Sequence, residues 1–76
     1  MNDSLQQLIA DVLGVAPEQI TRSSNQKTLE EWDSMAQVNL SSALEGEYGI
    51  TLSTADMAKL TSVEAIVTLL QQRGRL

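Results

Sequence analysis

Apolar residues recur along this chain at the spacing of an α-helix, and that pattern decides most of what it can fold into. Leu5, Leu8, Ile9, Val12 and Leu13 follow the i, i+3, i+4, i+7, i+8 series that turns one helix face to a core. Asp3 is placed to cap this helix, with Gln6 at capping-box distance, and Gly14 is a natural stop. The one strand-like run, Ile50-Thr51-Leu52, has no partner strand in the sequence and reads as a loop with two core anchors.

The same reasoning sets the other elements. A long connection, Val15 to Asp33, follows the first helix; Pro17-Glu18-Gln19 can open a short turn in it, and Ser23, Ser24 and Asn25 break any longer helix. Val15, Ile20 and Leu29 are expected to pin this loop to the core. A second helix is expected from Ser34 to Tyr48, with Asp33 as its cap and Gly49 just past its end. Ser53 with Asp56 suggests a short helix ending near Lys59. Thr61 with Glu64 opens a final helix whose Val63, Ile66, Val67 and Leu70 face the core, and Arg73 and Arg75 suit the negative end of its dipole. The expected fold is all-α, a small four-helix bundle of three main helices and one short one, forming a single domain over residues 1–76.

Such a chain has a thin, aliphatic core, because its 76 residues include one tryptophan, one tyrosine and no phenylalanine. No stretch approaches the roughly 20 apolar residues of a membrane span, and the first residues lack a secretory pattern. Zero cysteines exclude disulfides and thiolate metal sites. A cytoplasmic monomer is the expectation. The net charge of −5 is concentrated in the middle: residues 28–58 hold six acids and no base, while the rest of the chain holds four acids and five bases. That field repels nucleic acid and favours partners with basic patches; it also serves plain solubility.

The second helix has two faces. At about 100° per residue, Ala36, Leu40, Ala43, Leu44 and Tyr48 form a core stripe, and Met35, Val38 and Ser42 fall opposite. Two readings stand for the second set: a small apolar contact patch in acidic surroundings, or a helix buried on more than one side. Gly46 either permits a close helix contact or serves no packing purpose. Trp32 either packs under the loop or touches a partner.

The residue types argue against intrinsic catalysis. A serine nucleophile needs a base, and the chain has no histidine; Lys27 and Lys59 stand at no motif spacing to Ser34. The glycines, at 14, 46, 49 and 74, form no phosphate-cradling loop, and no metal-ligand spacing is present. What remains is Ser34 at the start of a helix, where backbone N–H groups and the dipole favour a phosphate ester.

Asp33-Ser34-Met35, Leu13-Gly14-Val15, Glu18-Gln19-Ile20 and Ala43-Leu44-Glu45-Gly46-Glu47-Tyr48-Gly49-Ile50 stand in an order and spacing that resembles an acyl carrier protein over nearly the whole chain. The family's usual signature is Asp-Ser-Leu, and Met35 keeps a large apolar residue there. The resemblance implies a discrete, non-catalytic carrier in which Ser34 accepts 4′-phosphopantetheine from coenzyme A. A separate phosphopantetheinyl transferase would install it in a magnesium-dependent reaction, engaging Asp33, and the arm's thiol would hold acyl or aminoacyl cargo as a thioester. It further implies a partner face of Met35, Val38, Glu45 and Glu47 for loading enzymes, synthases and transferases with basic patches. Leu40, Leu44, Ile50, Ala55 and Ile66 would line a space between helices for an acyl chain.

Departures from the family bear on the pathway. Carriers of primary fatty-acid synthesis are more acidic along this helix, where the chain has Ala36, Gln37, Asn39, Ser41, Ser42 and Gly46. A specialised pathway is therefore expected, such as polyketide, modified-sugar or aminoacyl chemistry. Peptide-synthetase carriers place glycines before the serine, and Glu31-Trp32-Asp33 stands there instead. The competing reading is an unmodified helical interaction module with a degenerate carrier fold.

Overall fold

Capping chemistry sets where each helix begins and ends in a computed structural model of the chain, which describes residues 2–76. Among these residues four α-helices follow in order, α1 (Asp3–Leu13), α2 (Ser34–Tyr48), α3 (Thr54–Ala58) and α4 (Val63–Gln72), with a 3-10 turn at Pro17–Gln19. The all-α architecture is as expected, three main helices and one short one with a long loop between α1 and α2. Among the described residues no helix is long and apolar enough to cross a membrane.

Both ends of α2 fall where the sequence puts them. The Asp33 carboxylate accepts the Ala36 N–H at 2.8 Å, and Gly49 closes the helix at φ 62°, a left-handed turn that a Cβ would strain. Ser53 and Asp56 form the expected capping box of α3, each side chain accepting the other residue's backbone N–H.

Two caps lie one residue from the expected position. Asn2, not Asp3, caps α1 by accepting the Leu5 N–H at 3.0 Å. Asp3 sits in the first turn, where its charge suits the dipole, and Gln6 reaches away to donate to the carbonyls of Pro17 and Ile20. At α4 the cap is Ser62, not Thr61. The cause is tertiary: the Gln26 N–H donates to the Thr61 carbonyl and the Val63 N–H to the Ser24 carbonyl, both at 3.0 Å. This pairing, an isolated antiparallel bridge between Asn25 and Ser62, holds the backbone extended through Ser62 and delays the helix to Val63.

The core gathers Leu5 and Ile9 from α1, Leu40 and Leu44 from α2, and Val63, Ile66 and Leu70 from α4, with Leu52 and Leu60 from the connections. Ile20 is buried, and Val15 and Leu29 pack half-buried against the same cluster, so the long loop is pinned as expected.

Charge then ties remote segments together. Arg22 grips Glu64 through two nitrogens, at 2.9 to 3.2 Å. Arg73 does more than complement a helix end: it donates to the Thr51 carbonyl and to the Asp56 carboxylate, both at 2.8 Å, fastening the end of α4 to the segment that carries α3. Hydrogen bonds from Ser53, with Arg73 adding to them, hold the Asp56 carboxyl below the usual carboxylate range. Hydrogen bonding and charge from Arg22 do the same to Glu64.

Gly46 is exposed within α2, and a Cβ built on it meets nothing within 4 Å, so it serves no close helix contact. Gly46→Ala is expected to stabilise the fold by about 1 kcal/mol, raising the melting temperature by roughly 4–8 °C. Thermal unfolding followed by circular dichroism checks this; an unchanged or lower melting temperature would show that the helix needs glycine there.

Candidate functional site

A buried side chain fixes the place where an exposed one begins. Trp32 is only 2% exposed, and its indole N–H donates to the Leu60 carbonyl at 3.1 Å. Its role is packing, the first of the two readings open in the sequence. The next three residues, Asp33, Ser34 and Met35, all stand exposed.

Ser34 is the first residue of α2, and among the described residues nothing hydrogen-bonds its hydroxyl. Asp33 takes the Ala36 N–H with its carboxylate and the Gln37 N–H with its carbonyl, leaving the N–H groups of Ser34 and Met35 at the open helix end. Those donors and the positive end of the dipole favour an anion on the serine oxygen.

Beside Ser34 runs a groove of about 310 Å³, walled by Ser34, Gln37 and Val38 from α2 and Thr54, Met57 and Ala58 from α3. Gln37 spans it, its side-chain amide donating to the Met57 carbonyl at 2.9 Å. Gln37, Thr54, Met57 and Ala58 are not among the residues expected from the sequence to form the site. Gln37 was legible, because i+3 from Ser34 shares its side of the helix. The α3 residues were not, because the loop after Gly49 decides where that short helix lies.

The residues expected to form a partner face separate into two groups. Met35 is 69% exposed and Val38 55%, and Ser42 is exposed with them, which settles α2 as a helix with one buried and one open side. Glu45 is half-buried and accepts the Leu52 N–H at 2.8 Å, so its carboxylate serves the loop after α2. Glu47 is exposed on another side, lining a groove with α1 rather than joining Met35 and Val38.

Of the residues expected to line a space between helices, Leu40, Leu44 and Ile66 lie fully buried in the core and Ile50 packs half-buried against it. Ala55 does not join them. It is exposed on α3, where Asp56 and Met57 are the half-buried residues.

The sequence matches the family model described as a phosphopantetheine attachment site over residues 3–70, a stretch that takes in Ser34 and runs from α1 into α4. It is also 28% identical over 71 residues to an acyl carrier protein of Petrotoga mobilis (strain DSM 10674 / SJ95), covering 93% of this chain and 84% of that protein.

The exposure of Val38 makes a direct prediction. Val38→Glu is expected to change stability by no more than about 0.5 kcal/mol in chemical denaturation. A loss of several kcal/mol would show that Val38 belongs to the core and that α2 has no open apolar face.

Proposed function

The chain belongs to the acyl carrier protein family, and from that premise we propose that Ser34 is the residue that bears the prosthetic group. A protein of this family is a carrier rather than a catalyst and holds 4′-phosphopantetheine covalently. Bound, that group supplies a terminal thiol on which cargo is held as a thioester.

The residues around Ser34 fit such a group. The exposed hydroxyl offers an ester oxygen, and the Ser34 and Met35 N–H groups offer donors to phosphate oxygens. The adjoining groove presents apolar walls from Val38, Met57 and Ala58 and polar groups from Gln37 and Thr54, a mixture suited to an arm of methyl groups and amides. The observation that carries the proposal is the free Ser34 hydroxyl at the head of α2 and at the mouth of this groove.

Ser34 contributes its oxygen to the phosphoester at the pantetheine-side phosphorus of coenzyme A. The diphosphate P–O bond breaks to release adenosine 3′,5′-bisphosphate, and the serine proton passes to a base of the modifying enzyme. Among the described residues nothing plays that part: the chain has no histidine, and no described side chain hydrogen-bonds the hydroxyl. A phosphopantetheinyl transferase is therefore the first partner. Asp33 holds the helix start rigid while remaining exposed to that enzyme and its metal. Loading enzymes and synthases come next, meeting Met35 and Val38, with exposed Glu30, Glu31 and Asp33 drawing their basic patches.

The proposal extends to a specialised biosynthetic pathway. Its support is the open side of α2, where Met35, Val38, Asn39, Ser42 and Gly46 are exposed, while Glu45 is engaged by the Leu52 N–H and Glu47 faces α1. A partner reading this helix meets apolar and small polar groups more than a row of acids.

Incubation with coenzyme A, magnesium and a broad-specificity phosphopantetheinyl transferase, followed by intact mass measurement, tests the assignment. A single phosphopantetheine adduct is expected on the wild-type chain and none on Ser34→Ala. An adduct that persists in Ser34→Ala, or no adduct where a control carrier is modified, overturns it.

A further inference from the structure

A second groove, larger than the one beside Ser34, runs between α1 and α2 with a volume of about 590 Å³. Its floor is apolar: Leu8 and Val12, one turn apart on α1, and Ala43 of α2, all half-buried. Its rim is acidic, with Asp3 and Asp11 along α1 and Glu47 on α2, all exposed, and among the described residues no basic side chain lines it. The two ion pairs among the described residues, Arg22 with Glu64 and Arg73 with Asp56, use other acids. The Gln7 side chain donates to Asp11 at 2.8 Å and steadies that carboxylate without neutralising it.

We propose that this groove docks a basic amphipathic helix of a partner protein, at a site separate from the serine face. Apolar side chains of such a helix would cover Leu8, Val12 and Ala43, while its Lys or Arg residues would meet the carboxylates on both rims. The spacing defines the partner further. Asp3 and Asp11 are eight residues apart, about 12 Å along the helix, so matching bases lie two turns apart on the incoming helix. Glu47 and Ser34 stand at opposite ends of α2, about 20 Å apart along its axis. A protein held at the groove therefore leaves the serine and the Met35 and Val38 patch free for another enzyme.

The site stands on α1 and α2 alone, so it is tested on the unmodified full chain, and its outcome is independent of what Ser34 carries. The probe is a synthetic amphipathic helical peptide of leucine and lysine, titrated into the ¹⁵N-labelled protein while amide shifts are followed. The largest shifts are expected in residues 3–12 and 43–47, with those of residues 33–38 nearly unmoved. The double variant Asp11→Asn/Glu47→Gln, whose spectrum reports its fold, is expected to bind about tenfold more weakly. A leucine and glutamate peptide of the same length is expected not to bind. Shifts centred on residues 33–38 or spread over the whole surface overturn the proposal. So do unchanged affinity in the double variant, equal binding of the acidic peptide, or no binding of the basic one.

Discussion

The Trp32 indole holds the structure in register. Burying so large an apolar side chain is worth on the order of 2–3 kcal/mol in a domain with little other aromatic surface, and its N–H bond to the Leu60 carbonyl joins residues 28 apart in sequence. It fixes the last step of the long loop to the connection between α3 and α4. The Asn25 to Ser62 bridge fixes the middle of that loop to the same connection, and Gln6 fixes its beginning to α1. A segment with almost no regular structure is thereby held at three points. The chain leaves Trp32 in one direction, and Asp33, Ser34 and Met35 emerge together at the surface.

That arrangement divides labour cleanly. Rigidity comes from buried groups that touch no partner, and reactivity is left to a hydroxyl that this chain does not activate. Catalysis belongs to the enzymes that visit it, and what the carrier must provide is a fixed point of attachment with room beside it. In the proposed assignment the groove between α2 and α3 is that room, held by the bond from Gln37 to Met57 and by Arg73, which fastens α4 to Asp56. The acids also divide. Asp56 and Glu64 are bound to arginines, Glu45 is bound to backbone, and Asp3, Asp11 and Glu47 stand around a different surface altogether.

Much of this was legible in the sequence wherever the deciding chemistry is local. Asp33 and Gly49 bound α2 correctly because a cap and a left-handed terminus act within one turn. The Ser53 and Asp56 box is equally local. Spacing to Glu64 places the cap of α4 at Thr61, and the shift to Ser62 is invisible locally because the loop that pairs with them lies more than thirty residues earlier. Glu47 illustrates a different failure. It was grouped with Met35 and Val38 on resemblance, whereas 100° per residue already places it beside Leu40, on the α1 side. Ala55 followed the same resemblance into a lining role, while a helix of five residues held by its own cap turns it to solvent.

Ser34, placed by Trp32 and Asp33, is the proposed point of attachment. Fragmentation of the modified protein after tryptic digestion tests this most directly, because the peptide from Thr28 to Lys59 contains four serines, at 34, 41, 42 and 53. Every fragment retaining phosphopantetheine is expected to include Ser34, and fragments carrying only the other three serines are expected to be unmodified. Modification mapped to Ser41, Ser42 or Ser53, or to a serine outside this peptide, would contradict it.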